Sequence, residues 1–295
     1  MANIKLKVDK QKCVQCGRCI HDCICSVLEF GNDKVPKVAK DGETRCMKCQ
    51  HCMAVCPTGA LSVLGKKPEE SLPVEKNYKP ENVLSLIQTR KSIRNFKQEN
   101  ISKDKWNKIK EMLPWIPTGC NDHRLVFAFI DDIDAMAKFR KKTYALLKKL
   151  YETEPTEATQ NLFAFKDMIM NGNDVIFRNA PHLAVACSPV DAPCADIDGV
   201  IALSYLELYA HSLDVGTLWC GLSFYCLQQF PELVKELKIP AGYKPVYCML
   251  LGNSNIQYKR VTQPAKYKIV TYGKTLAKLE AFANKVKNAV TDCMK

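Results

Sequence analysis

Past residue 83 the chain alternates between two kinds of apolar spacing. Residues 83–88 and 103–113 carry apolar side chains at helical intervals, whereas 125–130 (LVFAFI) is an unbroken apolar run suited to a buried strand. Helical spacing returns over 131–151 and 158–170, and a strand-like run (HLAVAC) occupies 182–187. Residues 196–213 are the longest strongly apolar helix candidate, and a helix of that composition belongs in a core. A short strand over 216–219, helices over 222–230 and 231–237, and a strand over 246–251 complete the series. Helix and strand are mixed without a regular βαβ repeat, so the pattern predicts an α+β domain.

The first 65 residues have a different character. Nine of the sixteen cysteines fall between Cys13 and Cys56, and the other seven are spread singly from Cys120 to Cys293. The stretch between Leu64 and Val83, GKKPEESLPVEKNYKPEN, is polar, holds three prolines and reads as an extended linker. The expected organisation is therefore a cysteine-rich domain over 1–65, a linker over 66–82 and a larger domain over 83–295, which 295 residues can accommodate.

Composition excludes some classes of protein. With 47% apolar and 25% charged residues the chain is neither disordered nor collagen-like. The start, MANIKLKVDK, lacks the apolar stretch of a secretory signal, and no run approaches the roughly 18 apolar residues of a membrane span, so the chain reads as cytoplasmic. Sixteen cysteines in a reducing compartment point to metal rather than disulfides. The net charge of +12 comes from lysines scattered along the chain, often beside Asp or Glu, so a nucleic-acid partner is not expected.

Cys13, Cys16, Cys19 and Cys23 have the spacing C-x2-C-x2-C-x3-C, and Cys46, Cys49, Cys52 and Cys56 repeat it, with Pro57 after the last. Three closely spaced thiolates can wrap three corners of an iron-sulfur cube while the fourth cysteine of each run reaches the other cluster. That assigns Cys13, Cys16, Cys19 and Cys56 to one [4Fe-4S] centre and Cys46, Cys49, Cys52 and Cys23 to the other. Paired C-x2-C motifs also make zinc sites, but zinc needs only four thiolates and has no use for the extra cysteines packed so close. Ile24 stands where a proline usually follows the fourth cysteine, and Cys25 is a ninth thiol that reads as a bystander. His21 and His51, inside the runs, read as solvated loop residues. The module resembles a bacterial two-cluster ferredoxin. Its ten Lys or Arg against six Asp or Glu suit docking with an acidic carrier protein.

Clusters move electrons singly, and a two-electron organic reduction needs a cofactor that stores a pair, for which flavin is the usual converter. No G-x-G-x-x-G follows a strand, so a Rossmann-type domain is not expected. Arg90, Lys91, Ser92 and Arg94 cluster three cations with a hydroxyl, groups that bind phosphate well, although the same residues also suit a solvated basic turn.

Here the chain resembles the FMN-dependent nitroreductase family, whose N-terminal signature is R-[R/K/H]-S-x-R-x-[F/Y] and is similar to RKSIRNF over 90–96. Residues 117–123 (PTGCNDH) look like the family's P-S-x-x-N-x-Q stretch, with His123 replacing the glutamine, and Ala180 and Pro181 look like the lead into a central strand. Residues 216–221 (GTLWCG) resemble its G-x-x-x-W-x-G flavin loop. Leu251, Gly252 and Asn253, followed by Lys259 and Arg260, resemble a terminal strand and a basic phosphate contact.

The resemblance implies a three-layer α/β/α domain with FMN at a homodimer interface. Arg90, Lys91, Ser92 and Arg94, with Lys259 and Arg260, would hold the phosphate and ribityl chain. The backbone of Leu218, Trp219, Cys220 and Gly221 would lie along the isoalloxazine, with an N–H of Cys220 or Gly221 toward N5. Thr118, Gly119 and Asn121 would come from the partner subunit. The expected activity is a flavin oxidoreductase that takes electrons from reduced ferredoxin or NAD(P)H and passes them through the clusters and FMN to a nitroaromatic or other activated acceptor. The alternative is a non-catalytic redox carrier. The sequence singles out no general acid, and the Cys220 thiol reads as bystander to its own backbone.

Overall fold

The computed structural model describes residues 4–272. The chain divides into two units, Met1–Gln257 and Tyr258–Lys295. In the second, residues 258–272 carry no helix or strand and are exposed. Residues 1–3 and 273–295 of the expected terminal domains, Cys293 included, lie outside the described residues.

The cysteine-rich part is built from very short elements. β1 (Lys7–Val8), α1 (Arg18–His21), β2 (Leu28–Phe30) and β3 (Pro36–Val38) are followed by α2 (Gly42–Arg45), α3 (His51–Ala54) and β4 (Leu61–Ser62). β1 pairs antiparallel with β4, joining the two ends of the module, and β2 pairs with β3 as a hairpin. Ile4, Val27, Leu28, Met53, Leu61 and Val63 form its core, with several cysteines packed against it. So small a core buries little apolar surface, and a module of this size needs a metal or similar clamp for stability.

The larger part begins with α4 (Pro80–Thr89), which starts three residues inside the stretch expected to be linker. Pro80 at its first turn explains this, since that position needs no N–H and favours the proline φ. A single 3-10 turn, Pro68–Glu70, interrupts the rest of the linker. Then follow α5 (Lys103–Met112), β5 (Val126–Ile130), α6 (Ile133–Leu150), α7 (Gln160–Phe163), α8 (Lys166–Met170), β6 (His182–Pro189), α9 (Ala195–Ser212), β7 (Gly216–Trp219), α10 (Gly221–Gln229), α11 (Pro231–Glu236) and β8 (Tyr243–Gly252). The Asp132 side chain caps α6 by accepting from Ala135 N at 2.8 Å.

β5, β6, β8 and β7 make one antiparallel sheet in that order. Along β6, Leu183, Val185 and Cys187 enter one core with α6 and α10 residues, while Ala184 and Ala186 enter the other with Leu203, Leu206 and Ala210 of α9. Period-two alternation with apolar residues on both faces is what made this strand a continuous apolar run. The result is three layers, helix on sheet on helix.

Three expectations change. The strand over 125–130 is an edge strand with β6 as its sheet neighbour, and most of it is half-buried rather than buried. The helix over 158–170 is two short helices, because the chain turns at Phe165 so that Phe163 and Phe165 both pack on the core. α9 does run along a core, yet its far side leaves Ile197, Val200 and Tyr205 exposed, and α4 likewise exposes Val83, Leu84 and Ile87.

Candidate functional site

The two cysteine runs repeat one backbone. Gln15 and Lys48, each one residue before the second cysteine of its run, have φ of 54° and 58°. Gly17 and Gln50, each just after that cysteine, have φ of 71° and 63°, and both lead into a one-turn helix carrying the third cysteine. Ser26 and Gly59, three residues beyond the fourth cysteine, have φ of 49° and 60°. Left-handed backbone at matching positions turns the main chain around the thiols and aims N–H groups at sulfur. Val27 N donates to Cys23 Sγ at 3.4 Å and Ala60 N to Cys56 Sγ at 3.2 Å, and these are again equivalent residues.

The grouping of thiols follows the crossed assignment. Burial pushes the Cys19 thiol up, and the charges adding to that push are those of Cys56, Cys16 and Cys13. Burial pushes Cys52 up to about 12, with Cys49, Cys23 and Cys46 adding to it. Ligation would replace the thiol protons, and four thiols brought together are the donor set that an iron-sulfur centre takes. For Cys56, burial is outweighed by hydrogen bonds from Ala60 and Thr58, which lower it. Among the described residues no three Cys, His, Asp or Glu converge as on a single ion. The sulfurs of the second set instead line a cavity of about 480 Å³.

The first set surrounds a smaller void of about 20 Å³, whose other walls also come from the cysteine-rich part. The wall of the second is different. It includes Cys23, Cys46, Cys49 and Cys52, with Cys25, but is completed by Thr118, Cys120 and Asn121 from the larger part of the chain. Asn121 Nδ2 donates to Met47 O at 3.0 Å, between the first two cysteines of the second run. Exposed Ile24, in the missing proline's place, lies beside a clamp: Arg45 donates to the carbonyls of Cys25, Lys40 and Ser26 at 3.0, 3.1 and 2.7 Å. His51 sits opposite Asp22 at 3.7 Å on the exposed rim, solvated as expected, although it opens the one-turn helix α3, and His21 ends α1, rather than lying in a loop.

On the other side, the basic segment and the 216–221 loop meet. Ser92 forms a parallel bridge with Thr217, and Ile93 N donates to Thr217 O at 2.8 Å. Gly216 permits this approach, since a Cβ there would lie 2.7 Å from Ile93. Lys91 and Arg94 reach main-chain carbonyls of Gln88 and Ser92, and among the described residues neither forms an ion pair, so their charge is available to an anion. Arg90 is partly committed, because its guanidinium bonds Glu207 Oε1 at 3.0 Å and Thr217 Oγ1 donates to the same oxygen at 3.5 Å. Two cations, a hydroxyl and part of a third cation fit a phosphate.

Cys220 is resolved in detail. Its N–H donates to Cys248 O at 3.1 Å, which leaves Gly221, the first residue of α10, as the N–H position for a ligand. Its thiol donates to Ile176 O at 3.2 Å and is pushed up to about 11 by burial, which suits a structural thiol rather than a nucleophile. Leu218 and Trp219 lie on β7, with Trp219 packed at 5.5 Å against Tyr247. Trp115 is 71% exposed. Lys259 and Arg260 fall in the second unit, among residues 258–272.

Loop 118–123 is held in an unusual shape. Cys120, Asn121 and His123 all have left-handed φ, Gly119 N donates to buried Asp198 at 2.9 Å, and His123 Nε2–H donates to Asn121 Oδ1 at 2.9 Å. Both polar ends of the Asn121 amide are therefore engaged within this chain, a use that the resemblance did not foresee. Asp198 and Glu207, which tether the loop and Arg90 respectively, were not singled out from the sequence. Their signal was present: both are acidic residues buried at the two edges of the apolar face of α9, roughly 14 Å apart along its axis at about 1.5 Å per residue.

The profile of the nitroreductase family matches residues 87–253, more than half of the chain. The chain belongs to the nitroreductase family. A 4Fe-4S binding domain profile matches residues 41–62, so this nitroreductase carries a ferredoxin domain at its N-terminal side. That part is similar to a ferredoxin of Methanothermococcus thermolithotrophicus, 38% identical over 61 residues that cover 21% of this chain and 97% of that protein. The nitroreductase part is similar to a nitroreductase with bound FMN from Desulfitobacterium hafniense, with 25% identity, a TM-score of 0.52, and coverage of 65% of this chain and 98% of that one. A nitroreductase with bound FMN from Bacteroides fragilis shares the fold at 19% identity and a TM-score of 0.52, over 64% of this chain and 98% of that one. Among the described residues no helix is long and apolar enough to cross a membrane.

Proposed function

We propose that this nitroreductase is an FMN-dependent oxidoreductase with a built-in electron inlet. Two [4Fe-4S] centres, one on Cys13, Cys16, Cys19 and Cys56 and one on Cys46, Cys49, Cys52 and Cys23, relay electrons to FMN. Bound flavin would supply the two-electron chemistry for reducing a nitroaromatic or other activated small molecule. The observation that carries this reading is the shared wall of the second cavity, where four cluster-type cysteines face residues 118–121 of the larger domain. A ferredoxin domain tethered only by a linker would need no such contact. The donor is a reduced ferredoxin-type protein, with NAD(P)H as the competing source, and the setting is cytoplasmic and anaerobic.

FMN, the group bound in the two similar nitroreductases, would supply hydride-equivalent chemistry at N5 when present. Arg90, Lys91, Ser92 and Arg94 would hold its phosphate, and residues 218–221 its ring. Thr118 and Gly119 would face it from the partner of a homodimer, whereas the Asn121 amide is already engaged with Met47 and His123 of its own chain and is not assigned to the flavin. The exposed apolar residues of α4 and α9 support that dimer, because monomers rarely leave such helix faces in water.

Anaerobic purification with iron, sulfide and flavin quantitation tests both cofactors. Iron and sulfide equivalent to two clusters and one flavin per chain are expected, and a flavin-free or zinc-loaded protein overturns the reading. Stopped-flow with reduced ferredoxin and with NADPH identifies the donor. A panel of nitroaromatics, quinones and enones should show sustained turnover, and its absence would leave the protein a redox carrier.

A further inference from the structure

The contact between the two domains is also a contact with a sulfur ligand. Asn121 Nδ2 donates to Met47 O at 3.0 Å, and the N–H of the same peptide unit, Lys48 N, donates to Cys46 Sγ at 3.4 Å. One peptide group thus links the amide of Asn121 to a thiol of the second set. Lys48 adopts φ of 58°, the conformation that turns its N–H back toward the thiol. Pulling on a carbonyl polarises its amide and strengthens the bond its N–H donates. Hydrogen bonds to cluster sulfurs are among the features that set a cluster's reduction potential, because they stabilise the extra negative charge of the reduced form.

Asn121 is held for this task. His123 Nε2–H donates to its Oδ1 at 2.9 Å, which fixes the amide with its NH2 group toward Met47, and His123 N donates to Thr118 Oγ1 at 2.9 Å, which closes the loop. Asp198 anchors the start of that loop at Gly119 N.

We propose that Asn121 is a positioning residue that tunes the second iron-sulfur centre through the Met47–Lys48 peptide, raising its potential and making it the exit toward the flavin. The proposal rests on the cluster-to-flavin reading above. An electron entering at the Cys13 centre from a one-electron donor protein moves to the Cys46 centre, reoxidising the first by one electron. Two such electrons leaving the second centre, with two protons from water, balance one full reduction of the flavin. The route out would start at the hydrogen bond that Asn121 Nδ2 donates to Met47 O.

The test is an EPR-monitored redox titration of the iron-sulfur holoprotein, comparing the wild type with Asn121→Leu, which keeps the volume and removes the donor, and with Asn121→Ala. The potential of the second centre should shift negative in both variants while that of the first stays put, and electron arrival at the flavin should slow on the order of tenfold. Unchanged potentials, or equal shifts of both centres, overturn the proposal. Iron content and circular dichroism identify a variant that fails to fold, and His123→Phe then supplies a second way to release the amide, with the same expected shift. Wild-type clusters that reduce while the flavin stays oxidised would sink the relay reading but leave the Asn121 effect on potential measurable.

Discussion

Around Cys13, Cys16, Cys19 and Cys56 the walls of the site come from the ferredoxin domain alone, with Pro57 and Thr58 beside the last thiol. Around Cys23, Cys46, Cys49 and Cys52 the same backbone is repeated, yet Ile24 replaces the proline, Arg45 clamps the loop, and residues 118–121 of the nitroreductase domain complete the wall. Backbone turns and thiol spacing are shared between the two sets, whereas the neighbouring residues are not. The set with the less standard loop is the one that faces the larger domain.

The largest break in this comparison comes from ligand removal. Cys46→Ser should abolish flavin reduction by a one-electron donor protein, whereas in Cys13→Ser the second centre should still form and pass electrons delivered by a small-molecule reductant. Cluster-specific EPR signals and flavin absorbance check both. If Cys13→Ser silenced the flavin more completely than Cys46→Ser, the order of the centres would be reversed.

Gly119 offers the next test. A Cβ there would lie 2.4 Å from Cys194 Sγ, so Gly119→Ala should push the loop off Asp198 and cost about 1–3 kcal/mol by urea unfolding. Adding Cys194→Gly, which removes both the sulfur and the Cβ that would lie 2.7 Å away, should restore much of that loss, and no recovery would mean that the loop is held by something other than this approach. The first centre should not respond.

Arg45→Ala removes three bonds to carbonyls around the loop that lacks proline. Because the guanidinium is exposed, we expect about 1–2 kcal/mol, read as faster loss of the second centre to a chelator while the first persists. Equal loss from both centres would show that the clamp serves the module as a whole.

The smallest effect lies outside both centres and is their control. Burial holds the His182 imidazole below its ordinary value, and its Nε2 accepts from Ile101 N at 3.0 Å. The unfolded chain binds a proton near the ordinary value of about 6.5 while the folded chain does not, so stability falls as pH drops below that value. This group contributes a slope of up to about 1.4 kcal/mol per pH unit, visible in urea midpoints between pH 7.5 and 5.5. His182→Gln should flatten that slope and leave the two centres as unequal as before.

Much of this was legible along the chain. The cysteine spacing carried the gathering of three thiols in each run, because residues three apart share a turn. The alternation in HLAVAC carried a strand buried on both faces, because side chains on a strand point in opposite directions. The motifs of residues 90–96 and 216–221 carried their own meeting at Ser92 and Thr217. Where local pattern was ambiguous the reading slipped: an apolar run cannot reveal that it forms a sheet edge, and helical spacing cannot reveal a turn at Phe165.

What folding alone decided were pairings between residues far apart in sequence. Arg90 meets Glu207, Gly119 meets Asp198, and Asn121 meets Met47. Each joins a polar group on a loop to one presented by a different element, and no local periodicity encodes such a partner. The sequence by itself determined two sets of four cysteines at cluster-type spacing. Only the tertiary structure set the second of them against loop 118–121, because that contact depends on how the ferredoxin domain packs on the sheet domain.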